Sequence, residues 1–256
     1  MLRVSVLASS SKGNSTFIEM DGIRLLVDAG ISTRRIVSGL SDLGVAPESL
    51  DGIFLTHEHI DHVKALPVFI NQYKVPVFSR AATLQALPEL GKLPDDCLYP
   101  IGDVFHLGRL VIETFNISHD AAEPVGYRVT GSQCCIVATD LGFVSASVQE
   151  SLENADVMVL ETNHDVDLLK AGRYPWPTKR RIMSNRGHLS NNDAAWAVTR
   201  LKKRPKAIFL AHMSEENNRP QLALDTMRQV MTGQGISVSD MELILTQPDK
   251  PVVLDS

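Results

Sequence analysis

The sequence predicts an α/β fold in which two β-sheets lie between layers of helices. Apolar runs of strand length alternate with segments of helical periodicity, and strands near the start of the chain are joined as a hairpin. The chain has 256 residues, 44% of them hydrophobic, which is enough to bury a full core. Because the sequence contains no Gly/Ser-rich or Pro-rich linker and no internal repeat, we expect one domain over residues 1–256.

The first predicted strands enclose a serine-rich loop. Residues 1–8 alternate as a strand does, and a tight hairpin follows at the turn Asp21-Gly22. The loop after the first strand, residues 9–15, has the sequence SSSKGNS. Ser11 and Asn14 in this loop are candidates for binding substrate, because a turn of successive amides can cradle a phosphate. An ordinary turn explains the loop equally well.

A histidine-rich loop, residues 56–62, follows the next predicted strand and has the sequence THEHIDH. In an extended segment, side chains two residues apart point to the same side, so His57 and His59 can bind one metal ion. Asp61 and His62 come next and can serve a second ion. Three of the eight histidines lie within six positions, which merely solvated side chains explain poorly.

Four later strands each end beside a side chain that can bind metal. The predicted strands are residues 111–118, 134–139, 156–160 and 207–211, and the residues that follow them are His119, Asp140, Glu161 and His212. Because functional groups in layered α/β folds gather at the carboxyl ends of strands, we expect these side chains to meet at one edge of the sheets. Four repetitions of the pattern indicate a site.

Helices are predicted between the strands from apolar periodicity and capping residues. The predicted ranges are 32–40, 63–73, 145–154, 165–171, 191–203 and 220–232. Asn191-Asn192-Asp193 supply an N-cap for the fifth of these helices. Asp28 precedes the first helix and is interpreted either as its cap or as a carboxylate that orients the histidine loop.

Composition restricts the classes of function. The formal net charge of −5 gives no global attraction for nucleic acid, so a polyanionic substrate would require a local basic surface and the metals themselves. The three cysteines, Cys97, Cys134 and Cys135, match neither a disulfide framework nor a zinc ribbon. The apolar stretch at the N-terminus is too short for a signal peptide or a membrane span, so we expect a cytoplasmic protein without a membrane partner.

The motif H-x-H-x-D-H, together with the residues at the strand ends, resembles the metallo-β-lactamase superfamily of binuclear metal hydrolases. The resemblance covers most of the chain and implies an αββα sandwich, with two mixed β-sheets between helical layers. It also implies two divalent metal ions, for which the ligand types suit zinc or manganese, or else iron. The implied ligands are His57, His59 and His119 for one ion, Asp61, His62 and His212 for the other, and Asp140 as the bridge.

Such a pair of metal ions implies hydrolysis without a covalent protein nucleophile. Two ions roughly 3.5 to 4 Å apart share a hydroxide whose pKa falls to about 7, and they stabilise charge on the scissile and departing oxygens. Asp61 is expected to bind metal and also to hold or deprotonate the attacking water. The redox-active diiron branch usually has a carboxylate at the position of His59, so the histidine favours hydrolysis.

Chain length distinguishes the branches of the superfamily. Only 71 residues lie between Asp140 and His212, too few for the inserted cap domain of one nuclease branch, and 44 follow His212, too few for the helical domain of the acyl-glutathione thioesterases. True β-lactamases are typically exported, and many have cysteine at the bridging position, and neither property fits this sequence. The segments 8–15, 161–165, 174–177, 179–181 and 186–191 are instead similar to the YycJ-like bacterial branch, also called VicX- or WalJ-like. That resemblance implies a phosphodiesterase acting on nucleic acid, most consistent with a DNA exonuclease.

Residues 170–188 carry cations and two further candidate groups for the substrate. The cations are Lys170, Arg173, Lys179, Arg180, Arg181 and Arg186, interleaved with Tyr174 and Trp176. They suit phosphates and stacked bases, with Arg186 as a substrate-binding candidate, although a solvated face also explains the run. His188 is the candidate for binding a phosphate oxygen or protonating the leaving alkoxide, and His164 for similar work or for donating to Glu161. A structural hydrogen bond is the alternative for each histidine.

Two alternatives to a nuclease are compatible with the sequence. One keeps the metals but acts on a small phosphodiester such as a cyclic nucleotide, or on an ester or lactone. Removing the charges of residues 179–181 would then hardly affect the reaction, whereas it would weaken cleavage of a polynucleotide. The other alternative is a binding or regulatory module with a vestigial site, and the complete ligand set argues against it. The sequence identifies no protein partner.

Overall fold

Two mixed β-sheets pack against each other in the computed structural model, which describes residues 1–88, 93–239 and 241–255. In chain order the strands are β1 (Leu2–Ala8), β2 (Ser15–Met20), β3 (Ile23–Val27), β4 (Gly52–Phe54), β5 (Val77–Ser79), β6 (Leu98–Pro100), β7 (Val104–Leu107), β8 (Leu110–Asn116), β9 (Val125–Thr130), β10 (Cys134–Ala138), β11 (Val157–Glu161), β12 (Ala207–Ala211), β13 (Glu242–Leu245) and β14 (Val252–Asp255). The first sheet has the order β14-β1-β2-β3-β4-β5-β6, and the second has the order β13-β12-β11-β10-β9-β8-β7.

Each sheet is antiparallel on one side and parallel on the other. Strands β14, β1, β2 and β3 pair antiparallel, and β3 to β6 pair parallel. In the second sheet β7 to β10 pair antiparallel, and β10 to β13 pair parallel. The parallel strands bring their carboxyl ends to one edge, where the loops that follow them can meet.

Helices cover the outer faces of both sheets. They are α1 (Thr33–Asp42), α2 (Ile60–Val63), α3 (Leu66–Tyr73), α4 (Ala81–Gln85), α5 (Ala146–Ser151), α6 (Val166–Ala171), α7 (Trp176–Ile182), α8 (Asn191–Thr199) and α9 (Pro220–Gly233). Apolar residues of α1 and α3 pack on the first sheet, and those of α5, α8 and α9 pack on the second. A third cluster, which includes Phe54, Tyr127 and Phe209, fills the space between the sheets. The four layers form the αββα sandwich that the sequence predicts.

Several helix boundaries differ from the prediction for local reasons. The helix predicted over residues 63–73 is two helices, α2 and α3, and Pro67 lies in the first turn of α3, where proline is favoured. The helix predicted over residues 191–203 ends at Thr199, and its N-cap is Ser190, whose Oγ accepts a hydrogen bond from the amide of Asp193. Helix α7 lies in residues 170–188, the basic segment, for which no helix was predicted.

The loop after β3 packs backbone to backbone on the histidine loop. The amide of Ala29 donates to the His62 carbonyl at 2.8 Å. The serine-rich loop contacts the same segment, because the amide of Asn14 donates to the Asp61 carbonyl at 2.9 Å. A Cβ atom at Gly30 would lie 1.6 Å from the carbonyl oxygen of Asp61. Glycine is therefore required at position 30 for the close approach of the two loops.

We expect Gly30→Ala to destabilise the protein, because the added methyl group must displace backbone atoms. The free energy of unfolding should fall by about 1–3 kcal/mol, as measured by chemical denaturation. Gly102→Ala is the matched control, because nothing lies within 4 Å of a Cβ at that position. A Gly30→Ala protein as stable as the control would contradict the tight packing of the two loops.

Candidate metal centre

Asp28 holds the histidine loop from behind. Its carboxylate is buried and accepts hydrogen bonds from the amide of Thr56 at 2.8 Å and from the Thr56 hydroxyl at 2.9 Å. It also accepts a hydrogen bond of 2.8 Å from Nδ1 of His62. Since Nδ1 carries the proton, Nε2 of His62 is the nitrogen left for other partners. Asp28 is therefore the carboxylate that orients the histidine loop and is not the cap of α1, whose N-cap position is occupied by Ser32.

Three histidines form one group of potential ligands. His57 and His59 come from the histidine loop and His119 from the loop after β8, and one nitrogen of each lies within 4.8 Å of the others. Nδ1 of His59 is 3.3 Å from Nε2 of His119. Nδ1 of His119 donates to the Gly187 carbonyl at 3.1 Å, which leaves its Nε2 facing the group.

Asp61, His62 and His212 form a second group within the same 4.8 Å limit. The carboxylate of Asp140 lies between the two groups. Its oxygens are 3.2 Å from Nε2 of His62, 3.3 Å from Nε2 of His212 and 3.8 Å from Nε2 of His119. The structure thus brings together all seven side chains that the resemblance implies as ligands, with Asp140 at the centre.

Glu161 orients two histidines from the second sheet. This fully buried carboxylate accepts a hydrogen bond of 2.8 Å from Nδ1 of His188 and one of 3.1 Å from Nδ1 of His212. Its other oxygen accepts hydrogen bonds from the amide of Leu141 at 2.8 Å and from the amide of Leu189 at 3.2 Å. The sequence indicated Glu161 as a residue at a strand end but did not indicate these two histidine partners.

Neighbouring charges control the protonation of the site. Burial raises the pKa of Asp140, but the charges of His212 and His62 outweigh burial and hold that pKa well below its ordinary value of 3.8. Burial lowers the pKa of His212, whereas Asp140 and two further carboxylates raise it to about 10. Burial and the charge of His62 lower the pKa of His57 well below 6.5. The central carboxylate is therefore ionised and His57 is neutral, the states that metal ligands require, whereas a cation bound to His212 would displace a proton from it.

The donor atoms fit a divalent cation. Three buried atoms have no hydrogen-bond partner within the described part of the chain: Nε2 of His57, Oδ2 of Asp140 and Nε2 of His212. An unsatisfied buried polar atom costs roughly 1–3 kcal/mol, so native sites rarely contain three together without a reason. A cation among imidazole and carboxylate ligands would satisfy all three atoms.

The centre opens into a cavity of about 270 Å³. Residues outside the two ligand groups that line it are Ser11, Asn163, Tyr174, Thr178, Arg181, Ile182, His188 and Ser214. Sequence reasoning missed Asn163, Thr178 and Ser214. Their residue types carry no metal chemistry, and only Asn163 lies in a segment, residues 161–165, that the family resemblance singled out.

The predicted substrate-binding residues have different positions. Ser11 and His188 line the cavity, whereas Asn14, His164 and Arg186 are not among its lining residues. Asn14 is buried, and its Oδ1 accepts a hydrogen bond from the amide of Ser10. Its Nδ2 lies 3.3 Å from Nε2 of His62, so Asn14 connects the serine-rich loop to the histidine loop. His164 is buried, and its Nδ1 has no hydrogen-bond partner in the described structure. It does not donate to Glu161, which accepts hydrogen bonds from His188 and His212. Burial lowers the pKa of His164 to about 4.

The basic segment is not a uniform binding surface. The side chain of Lys179 is buried, and its Nζ donates to the carbonyls of Lys170 and Gly172, each at 2.7 Å. Arg181 lines the cavity, and its Nε donates to Oδ2 of Asp120 at 2.6 Å. Residues 179–181 therefore lie in three different environments. Within the described ranges, no helix is both long and apolar enough to cross a membrane.

Comparison with protein families and curated proteins gives consistent matches. A family model described as a beta-lactamase superfamily domain matches residues 23–213, a range that includes every residue from His57 to His212. The exodeoxyribonuclease YycJ of Bacillus anthracis is 39% identical over 256 residues, which cover 98% of this chain and 97% of that protein. The exodeoxyribonuclease WalJ of Streptococcus pneumoniae strain D39 is 39% identical over 255 residues, with coverage of 96% and 95%.

Solved structures share the architecture at low sequence identity. The metallo-beta-lactamase fold protein YhfI of Bacillus subtilis has a TM-score of 0.71 and 16% identity, covering 99% of both chains. Zn(2+)-bound PqqB of Methylobacterium extorquens has a TM-score of 0.73 and 15% identity, covering 99% of this chain and 100% of that one. The predicted fold, two mixed sheets between helical layers, is confirmed as a metallo-β-lactamase fold.

We expect Asp28→Asn to weaken metal binding, because an amide cannot replace the charged acceptor of the His62 proton. The apparent affinity for metal should fall by about 10–100-fold, measured as metal content after dialysis against graded chelator. Asparagine tolerates the left-handed backbone at this position, where φ is 63°, so the fold should be retained. Asp42→Asn removes an exposed carboxylate from α1 as the control, and equal affinities in the two variants would contradict the role of Asp28.

Proposed function

The chain belongs to the beta-lactamase superfamily, in the branch of the YycJ and WalJ proteins, and from this premise we propose that it is a metal-dependent hydrolase that digests DNA from an end. The observation that carries the proposal is the convergence of three unsatisfied buried atoms, from His57, Asp140 and His212, beside an open cavity. The 39% identity to two exodeoxyribonucleases over nearly the full chain supports DNA as the substrate. We place this activity in the cytoplasm.

Seven side chains would hold two divalent ions. His57, His59 and His119 would bind one, Asp61, His62 and His212 the other, and Asp140 both. When bound, the ions would turn water into a nucleophile at neutral pH and neutralise charge on the phosphate. Imidazole and carboxylate ligands suit zinc or manganese, with iron as a further candidate. Ligand types alone do not separate these metals.

Asp61 is proposed to hold the attacking water as well as a metal. Its side chain is 21% exposed and lines the cavity, whereas the side chain of Asp140 is 2% exposed. The charge of His62, whose Nε2 is 3.3 Å from Oδ2 of Asp61, lowers the pKa of Asp61 despite its burial, and the imidazole of His212 at 3.6 Å lowers it further. An ionised carboxylate at the cavity surface can accept a proton from water.

His188 is proposed to serve the leaving group. Its Nδ1 donates to Glu161, so Nε2 is the nitrogen available to a substrate in the cavity. Because Glu161 also holds His212, the distance between the imidazole of His188 and the metal centre is fixed by one carboxylate. In the imidazolium form both nitrogens carry a proton, and transfer of the proton on Nε2 would neutralise the departing alkoxide and leave a neutral imidazole that still donates to Glu161 from Nδ1.

A small phosphodiester is the second candidate substrate, and the size of the cavity is compatible with it. A cavity of about 270 Å³ lies slightly below the range of roughly 300–1,000 Å³ common for sites of small ligands. A single nucleotide unit would fill it. The same observation suits an exonuclease, which needs to admit one terminal nucleotide at a time.

We expect protein reconstituted with manganese or zinc to shorten end-labelled linear DNA. Single-stranded RNA and bis(p-nitrophenyl) phosphate are the comparison substrates, and His57→Ala is the control because it removes a ligand. Product lengths on a sequencing gel report the reaction. Hydrolysis of the small diester without any shortening of DNA would favour the small-molecule phosphodiesterase.

We expect His188→Ala to reduce kcat by about 10²–10⁴-fold, the usual contribution of a general acid, while bound metal stays unchanged. Steady-state kinetics and metal analysis of the same preparation measure the two effects. A substrate whose leaving group is already acidic, such as p-nitrophenolate, needs no proton and should be much less affected. Loss of metal from His188→Ala would refute the assignment.

A further inference from the structure

Helix α7 and the residue two positions before it form one wall of the cavity. Tyr174, Thr178 and Ile182 are four residues apart and line the cavity together with Arg181. Lys179 fixes the helix from its buried side, because its Nζ donates to two carbonyls at the end of α6. The wall is therefore anchored by buried hydrogen bonds and holds Arg181 beside the metal centre.

Arg181 differs from its neighbouring cations in position. Among the described residues that line the cavity, it is the one arginine or lysine. Arg180 is exposed and outside the cavity, and Lys179 is buried with its donors occupied. The side chain of Arg181 is 57% exposed, so its charge can reach a ligand without first being uncovered.

Asp120 holds Arg181 by one nitrogen and leaves the rest of the guanidinium available. Nε of Arg181 donates to Oδ2 of Asp120 at 2.6 Å, while its two terminal nitrogens have no partner in the described structure. The other oxygen of Asp120 lies 3.4 Å from Nε2 of His119. One carboxylate group thus separates the guanidinium from a metal ligand, which leaves Arg181 on the outer side of the centre.

We propose that Arg181 binds the phosphate adjacent to the scissile one and so selects a polynucleotide over a small diester. This inference rests on the proposed function. The two free terminal nitrogens of a guanidinium match two oxygens of a phosphate. Among the described side chains that line the cavity, Arg181 is the arginine or lysine that a second phosphate would meet. A substrate with a single phosphate would have no group for Arg181 to bind.

We expect Arg181→Gln to raise KM for single-stranded DNA by about tenfold, the effect of losing hydrogen bonds to a charged group, with kcat almost unchanged. For Arg181→Gln, the slope of log KM against log salt concentration should be smaller by about 0.7, which corresponds to the loss of one phosphate contact. Arg180→Gln, which removes the same charge one residue away, is the matched control and should change KM by less than about twofold. Hydrolysis of bis(p-nitrophenyl) phosphate by Arg181→Gln should equal that of the unaltered protein.

Two further comparisons separate binding by Arg181 from indirect effects. In the double variant R181Q/D120N both charges of the pair are absent, and KM should stay raised. Recovery of KM would mean that the unpaired Asp120 repels DNA, and this would overturn the inference. A second comparison uses DNA with a neutral methylphosphonate at the linkage adjacent to the terminal one. On this substrate the KM of the unaltered protein should rise about tenfold, whereas the KM of Arg181→Gln should not rise further.

The two proposals fail in different ways. Equal KM values for Arg181→Gln and Arg180→Gln, or an equal loss with the small diester, would overturn the role of Arg181 alone. An unaltered protein that binds metal but does not shorten DNA would overturn the proposed function and this inference with it. Metal content and thermal stability of Arg181→Gln should match those of the unaltered protein, because Arg181 contacts no proposed metal ligand directly. Both are also measured on the double variant, because Asp120 lies 3.4 Å from Nε2 of His119.

Discussion

A buried carboxylate beside each sheet orients one histidine of the proposed metal centre. Asp28, after β3, accepts the Nδ1 proton of His62, and Glu161, at the end of β11, accepts the Nδ1 proton of His212. In both cases the protonated nitrogen faces the protein and Nε2 faces the centre. A buried carboxylate needs several donors to remain ionised, and here backbone amides supply them beside the imidazoles. Neither sheet could build the centre alone, because each provides one of the two orienting groups.

Backbone strain accompanies this arrangement. Asp28, Asp140 and His212 all have left-handed backbone conformations, with φ values of 63°, 61° and 53°. Such a conformation costs a residue other than glycine roughly 1–2 kcal/mol. Each of the three follows a strand whose last residues are buried, so the packing of the sheets offsets the strain. The sharp turn after each strand directs a polar side chain into the centre instead of along the sheet.

The sequence predicted the parts of the site that depend on local order. The spacing of His57, His59, Asp61 and His62 is a property of one loop, and His119, Asp140 and His212 were found because each follows an apolar strand. Burial and pairing across the chain were not predictable in the same way. Glu161 meets His188 from 27 residues away, and Lys179 looks like any surface lysine until two carbonyls are placed around its ammonium group. These contacts depend on the packing of loops that have no common pattern in the sequence.

The segment that forms the cavity wall can diverge in evolution without disturbing the chemistry. Residues 166–183 contain α6 and α7 but none of the seven proposed metal ligands. The segment rejoins the centre at Gly187, whose carbonyl accepts the His119 proton and where a Cβ would lie 2.1 Å from the Ile182 carbonyl oxygen. Relatives that act on other substrates can therefore be expected to differ most in residues 166–183 and to keep the glycine. The separation of this segment from the seven proposed ligands allows substrate range and metal chemistry to change independently.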